Sequence, residues 1–222
     1  MMEQPVADGV IILSGGPSSR MGEPKSLVEI NGKPMLQWVM ESLSQSGFQS
    51  AVLSIKNQEQ WQQIMDSITI KEISAEQYQI ENTALSFEIS FDPPNPNKNN
   101  SPIIGLISGV EKAIDKNWET IQVVPCDVPY LNPLLPPLLF NNLSEENNCA
   151  VAYSNRGIEP LLFCANTKAL NIALNTDVTS AWQVISKLNS FKIGPKVWSL
   201  NEITNQCFTN INSLDDININ HR

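Results

Sequence analysis

The stretch Gly9-Val10-Ile11-Ile12-Leu13-Ser14-Gly15-Gly16 decides the fold. A short apolar run that stops at glycines is typical of a strand buried on both faces and followed by a tight loop, as in parallel sheets covered by helices. Further along the chain, short apolar runs typical of strands alternate with segments whose apolar residues recur at helical spacing. The polar stretch 72–86 fits neither pattern. The predicted strands span residues 48–55, 87–91, 121–124, 150–153 and 161–164, and the predicted helices span residues 34–43, 57–68, 103–114, 167–174 and 180–188. We therefore predict an α/β fold with a doubly wound, mostly parallel sheet flanked by helices.

The composition excludes several classes of protein. Hydrophobic residues make up 41% and charged residues 17% of the 222 residues, which is typical of a globular chain, and we expect one domain. A net charge of −9 argues against nucleic-acid binding, because phosphate contacts need clustered Lys and Arg. The first eight residues do not resemble a secretory signal, and no apolar run is long enough to span a bilayer, so we expect a cytoplasmic monomer that contacts no membrane. The four cysteines contain no CxxC pair, which favours buried thiols without zinc or disulfides.

The loop after the first strand has the residues of an anion-binding site. Gly15, Gly16 and Gly22 let the backbone approach a ligand closely, and Arg20 and Lys25 supply two cations for a polyphosphate. It is not a P-loop, because five residues separate the second and third glycines and Glu-Pro precedes the lysine. The alternative is a surface turn with solvated cations, and in either case we expect Lys25 to be exposed.

Two aspartates follow predicted strands and are candidate metal or nucleotide ligands. Asp127 lies in Pro125-Cys126-Asp127-Val128-Pro129, after the strand at 121–124. Carboxylates are hard oxygen ligands that suit Mg²⁺, although Asp is also common at turns and helix N-caps. Asp92 opens a Pro- and Asn-rich loop, where ordinary turn chemistry is the alternative. Because ligands bind beyond the carboxyl ends of strands in such sheets, we expect the Gly15 loop and Asp127 to lie on the same rim.

The chain has a single histidine, His221, next to the last residue. Acid–base catalysis by histidine and Ser-His-Asp triads are therefore excluded in practice. A reaction without such a base is easier when the nucleophile is already an anion. A phosphate monoester is largely dianionic at neutral pH, so it needs positioning and charge neutralisation more than deprotonation.

These motifs closely resemble the MobA-type molybdenum cofactor guanylyltransferase family, within the Rossmann-like nucleotidyltransferase folds. Residues 13–25 match its opening signature Leu-Ala-Gly-Gly-x-Ser-x-Arg-Met-Gly-x-x-Lys, with Ser14 in place of alanine. The similarity continues in order through most of the chain, at residues 27–34, 102–106, 126–131, 159–161 and 208–213. One departure concerns Ile55, which falls at or near the position of a nucleotide-contacting asparagine of the family, and the stretch 92–101 is slightly longer than usual.

The resemblance implies that GMP passes from GTP to the terminal phosphate of molybdopterin, with Mg²⁺ as cofactor and release of pyrophosphate. It also implies transient contact with molybdoenzymes or their chaperones. Residues 9–131 would bind the nucleotide and residues 132–213 the acceptor. The implied nucleotide-binding residues are Leu13, Ser14, Gly15, Gly16, Lys25, Asp92 and Asp127. The implied catalytic residues are Arg20, Lys25 and Asp127, with Asp127 also the metal ligand and Asn210 and Asn212 on the acceptor side.

Other functions remain open at this stage. Related cytidylyltransferases tend to have Leu-Ala-Ala-Gly at the opening motif, and because a side chain at position 15 would crowd a purine, Gly15 favours guanine. A cytidylyltransferase, or a transferase acting on a sugar phosphate or a phospholactate-like acid, keeps the same chemistry with other substrates. A degenerate fold acting as a binding or adaptor module is disfavoured by the intact Arg20, Lys25 and Asp127.

Overall fold

The computed structural model describes residues 5–15, 24–93, 101–211 and 216. Its strands are β1 (Gly9–Leu13), β2 (Glu29–Ile30), β3 (Lys33–Pro34), β4 (Ser50–Ile55), β5 (Ile70–Ser74), β6 (Gln77–Ile80), β7 (Ser86–Phe91), β8 (Thr120–Pro125), β9 (Cys149–Ser154), β10 (Gly157–Asn166) and β11 (Ser190–Ile193). Its α-helices are α1 (Met35–Gln45), α2 (Gln58–Ser67), α3 (Pro102–Asp115), α4 (Leu135–Phe140), α5 (Thr167–Leu174), α6 (Ala181–Lys187) and α7 (Pro195–Leu200). Short 3-10 helices span Lys25–Leu27 and Asn205–Phe208.

Within the described part of the chain, nine strands form one sheet in the order β11-β9-β10-β8-β1-β4-β7-β6-β5. The four central strands β8, β1, β4 and β7 are mutually parallel. Strands β10 and β6 run antiparallel to both of their neighbours. The predicted mostly parallel sheet is thus confirmed, and β2 and β3 form a separate small hairpin.

Helices cover both faces of the sheet, as the apolar run of β1 predicts. Val10 and Ile12 belong to one hydrophobic cluster, whereas Ile11 and Leu13 belong to the cluster on the opposite face. Val10, Ile11 and Ile12 have no exposed surface. Full burial of one such side chain stabilises the fold by about 1.5–3 kcal/mol. This central strand therefore fixes the position of the loop that follows it.

Helix α3 packs closely against the sheet because two of its glycines face the central strands. It begins at Pro102, and the hydroxyl of Ser101 accepts a hydrogen bond from the Ile103 N–H at 3.4 Å. A Cβ at Gly105 would lie 2.4 Å from Ser54 Oγ, and one at Gly109 would lie 2.6 Å from Ile11 Cγ2. Only glycine allows the helix backbone to approach this near.

The structure adds elements that the sequence patterns did not predict. The unplaced stretch 72–86 contains the end of β5, all of β6 and the start of β7. Strand β5 is exposed over Lys71–Ser74, so it shows no buried alternation. The hairpin β2–β3, the helices α4 and α7 and the edge strand β11 are also additional, and α1 begins at Met35 rather than at Pro34. Among the described residues, no helix combines the length and the apolar character needed to cross a bilayer.

Candidate active site

The Gly15 loop and the Asp127 turn leave the sheet side by side. Leu13 at the end of β1 is paired with Pro125 at the end of β8, and the two strands are parallel. The Cys126 N–H donates to the Leu13 carbonyl oxygen at 3.0 Å, just beyond the last paired residues. The expectation that both segments lie on one rim of the sheet is therefore confirmed.

Lys25 and Asp127 form an ion pair at this rim. Lys25 Nζ lies 2.5 Å from Asp127 Oδ2, and each side chain is only 18% exposed. The expectation of an exposed Lys25 is therefore wrong, because the 3-10 helix at Lys25–Leu27 brings its side chain back against the end of β8. The second carboxylate oxygen, Asp127 Oδ1, is buried and has no hydrogen-bond partner among the described residues.

Asp92 follows β7 and lies over Gly15. Its N–H donates to the Ile55 carbonyl oxygen at 2.8 Å, and Ser54 Oγ donates to Asp92 Oδ1 at 3.3 Å. A Cβ added to Gly15 would lie 2.5 Å from Asp92 Oδ2. Burial raises the pKa of the Asp92 carboxyl, while the Ser54 hydrogen bond and the charge of Lys56 oppose that rise. A third candidate residue thus joins the same rim.

The contact with Asp92 changes the interpretation of Gly15. From the sequence, we expect this glycine to leave room for a purine base. In the structure, a methyl group at position 15 would meet the Asp92 carboxylate. A side chain at position 15 would therefore displace the Asp92 carboxylate, whichever base is bound.

Backbone groups at the end of β1 are held from two sides. The buried Ser14 donates its N–H to the Ser54 carbonyl oxygen at 2.8 Å, and its own carbonyl oxygen accepts from Gln60 Nε2 at 2.8 Å. Among the residues described, none accepts a hydrogen bond from the Gly15 N–H. With respect to the described residues, this backbone donor is therefore available at the rim.

Gln60 is a contributor to this site that sequence reasoning missed. It lies on the buried face of α2 beside Trp61 and Ile64 and is only 8% exposed. The sequence does contain a signal for Gln60, because its amide side chain lies within the row of apolar residues along the predicted helix. Ile55, in contrast, has no exposed surface and packs in the core. Its side chain therefore cannot replace the nucleotide-contacting asparagine of the resembled family.

The segment that contains Asn210 returns to Asp127. The Ile211 N–H donates to the Asp127 carbonyl oxygen at 3.0 Å, and the fully buried Ile211 side chain packs in a small apolar cluster with Val28 and Met35. Asn210 therefore lies next to the Asp127 turn. Asn212, like Gly16 and Arg20 of the first loop, lies outside the described residues.

Arg156 also binds this late segment, through contacts that the sequence patterns do not predict. Arg156 donates from Nη2 to the Phe208 carbonyl oxygen and also contacts Glu159 Oε1 at 3.1 Å. The same carboxylate oxygen accepts from Ser154 Oγ at 2.6 Å. The hairpin of β9 and β10 is thereby connected to the segment that precedes Asn210.

The residues at the rim fit a magnesium ion that arrives with a nucleotide. The described part of the chain has no group of three or more His, Cys, Asp or Glu side chains that could form a complete metal site. Mg²⁺ is usually bound by one or two carboxylates together with phosphate oxygens and water, rather than by a full set of protein ligands. Asp127, with its unpartnered Oδ1, has the donor chemistry for such a partial site.

Cysteine chemistry plays no part at this rim. All four cysteines are buried and free, as expected from their spacing. Cys126 is adjacent to Asp127, but burial, together with the charge of that aspartate, raises the pKa of its thiol to about 12. The thiol is therefore protonated at neutral pH and is a poor metal ligand or nucleophile.

Comparison with known proteins assigns the family. Residues 10–191 match the family model described as the MobA-like NTP transferase domain. The chain belongs to the MobA-like NTP transferase family. This family consists of nucleotidyltransferases, so the resemblance found in the sequence motifs is confirmed.

Individual relatives of the MobA-like family agree with this assignment. A molybdenum cofactor guanylyltransferase of Photobacterium profundum is 30% identical over 161 residues, which cover 72% of this chain and 69% of that protein. A probable molybdenum cofactor guanylyltransferase of Bacillus cereus is 26% identical over 210 residues, covering 93% and 92%.

Solved structures show the same fold. Molybdopterin-guanine dinucleotide biosynthesis protein A of Archaeoglobus fulgidus superposes with a TM-score of 0.67 over 95% of both chains, at 20% identity. The 4-diphosphocytidyl-2C-methyl-D-erythritol synthase of Anaerococcus prevotii superposes with a TM-score of 0.64 over 95% of this chain and 94% of that one, at 12% identity.

Proposed function

We propose that this chain transfers GMP from GTP to the terminal phosphate of molybdopterin and releases pyrophosphate. The product is the guanine dinucleotide form of the cofactor. A phosphate oxygen of the acceptor forms a bond to the α-phosphorus of GTP, and the bond from that phosphorus to the bridging oxygen of the β-phosphate breaks. The relatives named as molybdenum cofactor guanylyltransferases support this choice of substrates.

The observation that carries the proposal is the Lys25–Asp127 pair at the rim, near the Gly15 N–H. Counting only the residues that the structure describes, Asp127 Oδ1 and the Gly15 N–H have no partner, and they lie with a cation where open α/β sheets bind nucleotides. The N–H can bind a phosphate oxygen directly. Asp127 can bind the Mg²⁺ that accompanies a triphosphate, and Lys25 can then exchange the carboxylate for phosphate oxygens.

In this proposal the protein catalyses mainly by positioning and by neutralising charge. Bound Mg²⁺ would supply electrostatic stabilisation of the charge that develops on the transferred and departing phosphates. Lys25 would stabilise the same charge from the protein side, and Arg20 is proposed to assist it. The acceptor phosphate is already ionised near neutral pH, so no histidine base is needed. Asn210 and Asn212, in the acceptor-binding part 132–213, are proposed to contact the acceptor.

The test is transfer of label from α-³²P-GTP to molybdopterin in the presence of Mg²⁺. We expect labelled dinucleotide product from GTP and little from CTP or UTP. Asp127→Asn should abolish transfer, while Asp66→Asn, a change of an exposed aspartate in the last turn of α2, should not. Equal transfer from CTP would reject the guanine assignment, and transfer that persists without divalent metal would reject the mechanism.

A further inference from the structure

The ladder of hydrogen bonds between β1 and β4 is interrupted at the rim by the side chain of Gln60. In a regular parallel pair, every second residue of one strand is hydrogen-bonded to the two residues that flank its partner on the other strand. The Ser14 N–H follows this pattern and bonds the Ser54 carbonyl oxygen. The next bond would join the Lys56 N–H to the Ser14 carbonyl oxygen.

That bond is replaced by two bonds to one amide. The Lys56 N–H donates to Gln60 Oε1 at 2.8 Å, and Gln60 Nε2 donates to the Ser14 carbonyl oxygen at 2.8 Å. Gln60 Nε2 also lies 3.2 Å from Ser14 Oγ. We refer to the chain of bonds from Lys56 N–H through the Gln60 amide to the Ser14 carbonyl as the amide bridge.

We propose that Gln60 is a positioning residue for nucleotide binding, acting through the amide bridge. The bridge inserts an amide group between β1 and β4, and so separates the two backbones at the rim where the nucleotide is proposed to bind. It also fixes the orientation of the Ser14–Gly15 peptide. Because the carbonyl and the N–H of a trans peptide point in opposite directions, the Gly15 N–H faces away from Gln60. This inference rests on the proposed nucleotide site.

Packing alone does not explain a glutamine at this position. Gln60 lies on a helix face whose neighbours Trp61 and Ile64 are buried and apolar. Burying an amide is unfavourable unless its hydrogen bonds are made, whereas an apolar side chain would be buried without that cost. The helix start is held independently, since Asn57 Oδ1 accepts from the Gln60 N–H at 3.0 Å. The Gln60 amide therefore connects Lys56, the residue before the helix N-cap, with the rim at Ser14.

The test compares Gln60→Met with Gln63→Met. Methionine keeps the length and volume of glutamine but has neither a strong donor nor a strong acceptor. Gln63 is an exposed residue of the same helix. We expect Gln60→Met to raise the Kd for GTP with Mg²⁺ by about 10-fold, the ratio that corresponds to about 1.4 kcal/mol. The KM for the acceptor should remain unchanged, and Gln63→Met should bind nucleotide like the wild type.

A second readout does not need a nucleotide. The ¹H–¹⁵N cross-peak of Gly15 should shift in Gln60→Met and stay in place in Gln63→Met. A melting temperature that falls in Gln60→Met while the nucleotide Kd and the Gly15 cross-peak stay unchanged would show that the bridge is only structural, and would overturn the inference. If the wild type prefers another nucleoside triphosphate, the proposed function fails, but the same comparison with that nucleotide still decides the role of Gln60.

Discussion

Replacing Gly105 by alanine should push helix α3 against the aspartate of the candidate site. The added Cβ would lie 2.4 Å from Ser54 Oγ and 3.1 Å from Asp92 Oδ1. Ser54 is fully buried, and its hydroxyl donates to Asp92, so the oxygen cannot rotate away without losing that bond. The substitution therefore perturbs the fold and the position of Asp92 together.

The expected loss of stability is moderate, because two effects oppose each other. Adding a methylene-sized group to a packed core costs about 1–3 kcal/mol. Alanine in a helix interior is more favourable than glycine by about 1 kcal/mol. We expect Gly105→Ala to lower the free energy of unfolding by about 1 kcal/mol, or by about 2–4 °C in melting temperature for a chain of this size.

A double-mutant cycle with Ser54→Ala tests this reasoning. Once Oγ is removed, the nearest Ser54 atom is its Cβ at 3.5 Å, an ordinary contact. Gly105→Ala should then be close to neutral, because only the contact with Asp92 Oδ1 at 3.1 Å is still tight, and the coupling energy measured by urea denaturation should be about 1 kcal/mol. Gly109→Ala is the control, because its Cβ would meet Ile11 rather than Ser54. The explanation is wrong if Ser54→Ala and Gly105→Ala are coupled by less than about 0.5 kcal/mol, or if Ser54→Ala is coupled equally to Gly109→Ala.

Three further predictions concern charge and thiols. Lys25→Ala should cost about 2–4 kcal/mol in kcat/KM, the scale for losing one preorganised charge donor. It should also lower the free energy of unfolding by roughly 1–3 kcal/mol, because the half-buried Asp127 loses the cation that pairs with it. Denaturation curves should show that Lys25→Ala no longer has this effect when Asp127 is replaced by asparagine. Asp92→Asn should be more stable than the wild type at pH 7, since a raised pKa means that ionisation of Asp92 destabilises the fold. This gain in stability over the wild type should shrink as the pH falls towards 3.8. A difference in melting temperature between Asp92→Asn and the wild type that is the same at all pH values would contradict this prediction. At pH 8, a thiol reagent should label the four cysteines only after denaturation, because burial raises their pKa values. Rapid labelling of the native protein would contradict their burial.

Much of the fold could be predicted because the central strands are buried on both faces. The run at β1 is apolar without interruption, and the run at β8 contains one buried glutamine, Gln122, among apolar residues, so both strands are recognisable from composition. The edge hairpin of β5 and β6 could not be predicted, since β5 is largely exposed and the alternation in β6 spans only four residues. The location of the site followed from a general rule, because parallel strands bring their carboxyl ends to one rim.

The class of fold, the rim that carries the loop and Asp127, and the family all follow from the order of residues along the chain. They depend on apolar periodicity and on contiguous motifs. Three contacts became visible only in the folded molecule: Asp92 lies over Gly15, Gln60 interrupts the ladder beside Ser14, and Ile211 returns to Asp127. These contacts join residues far apart in sequence through single hydrogen bonds, or through the space that a missing side chain leaves, and neither produces a repeating pattern along the chain.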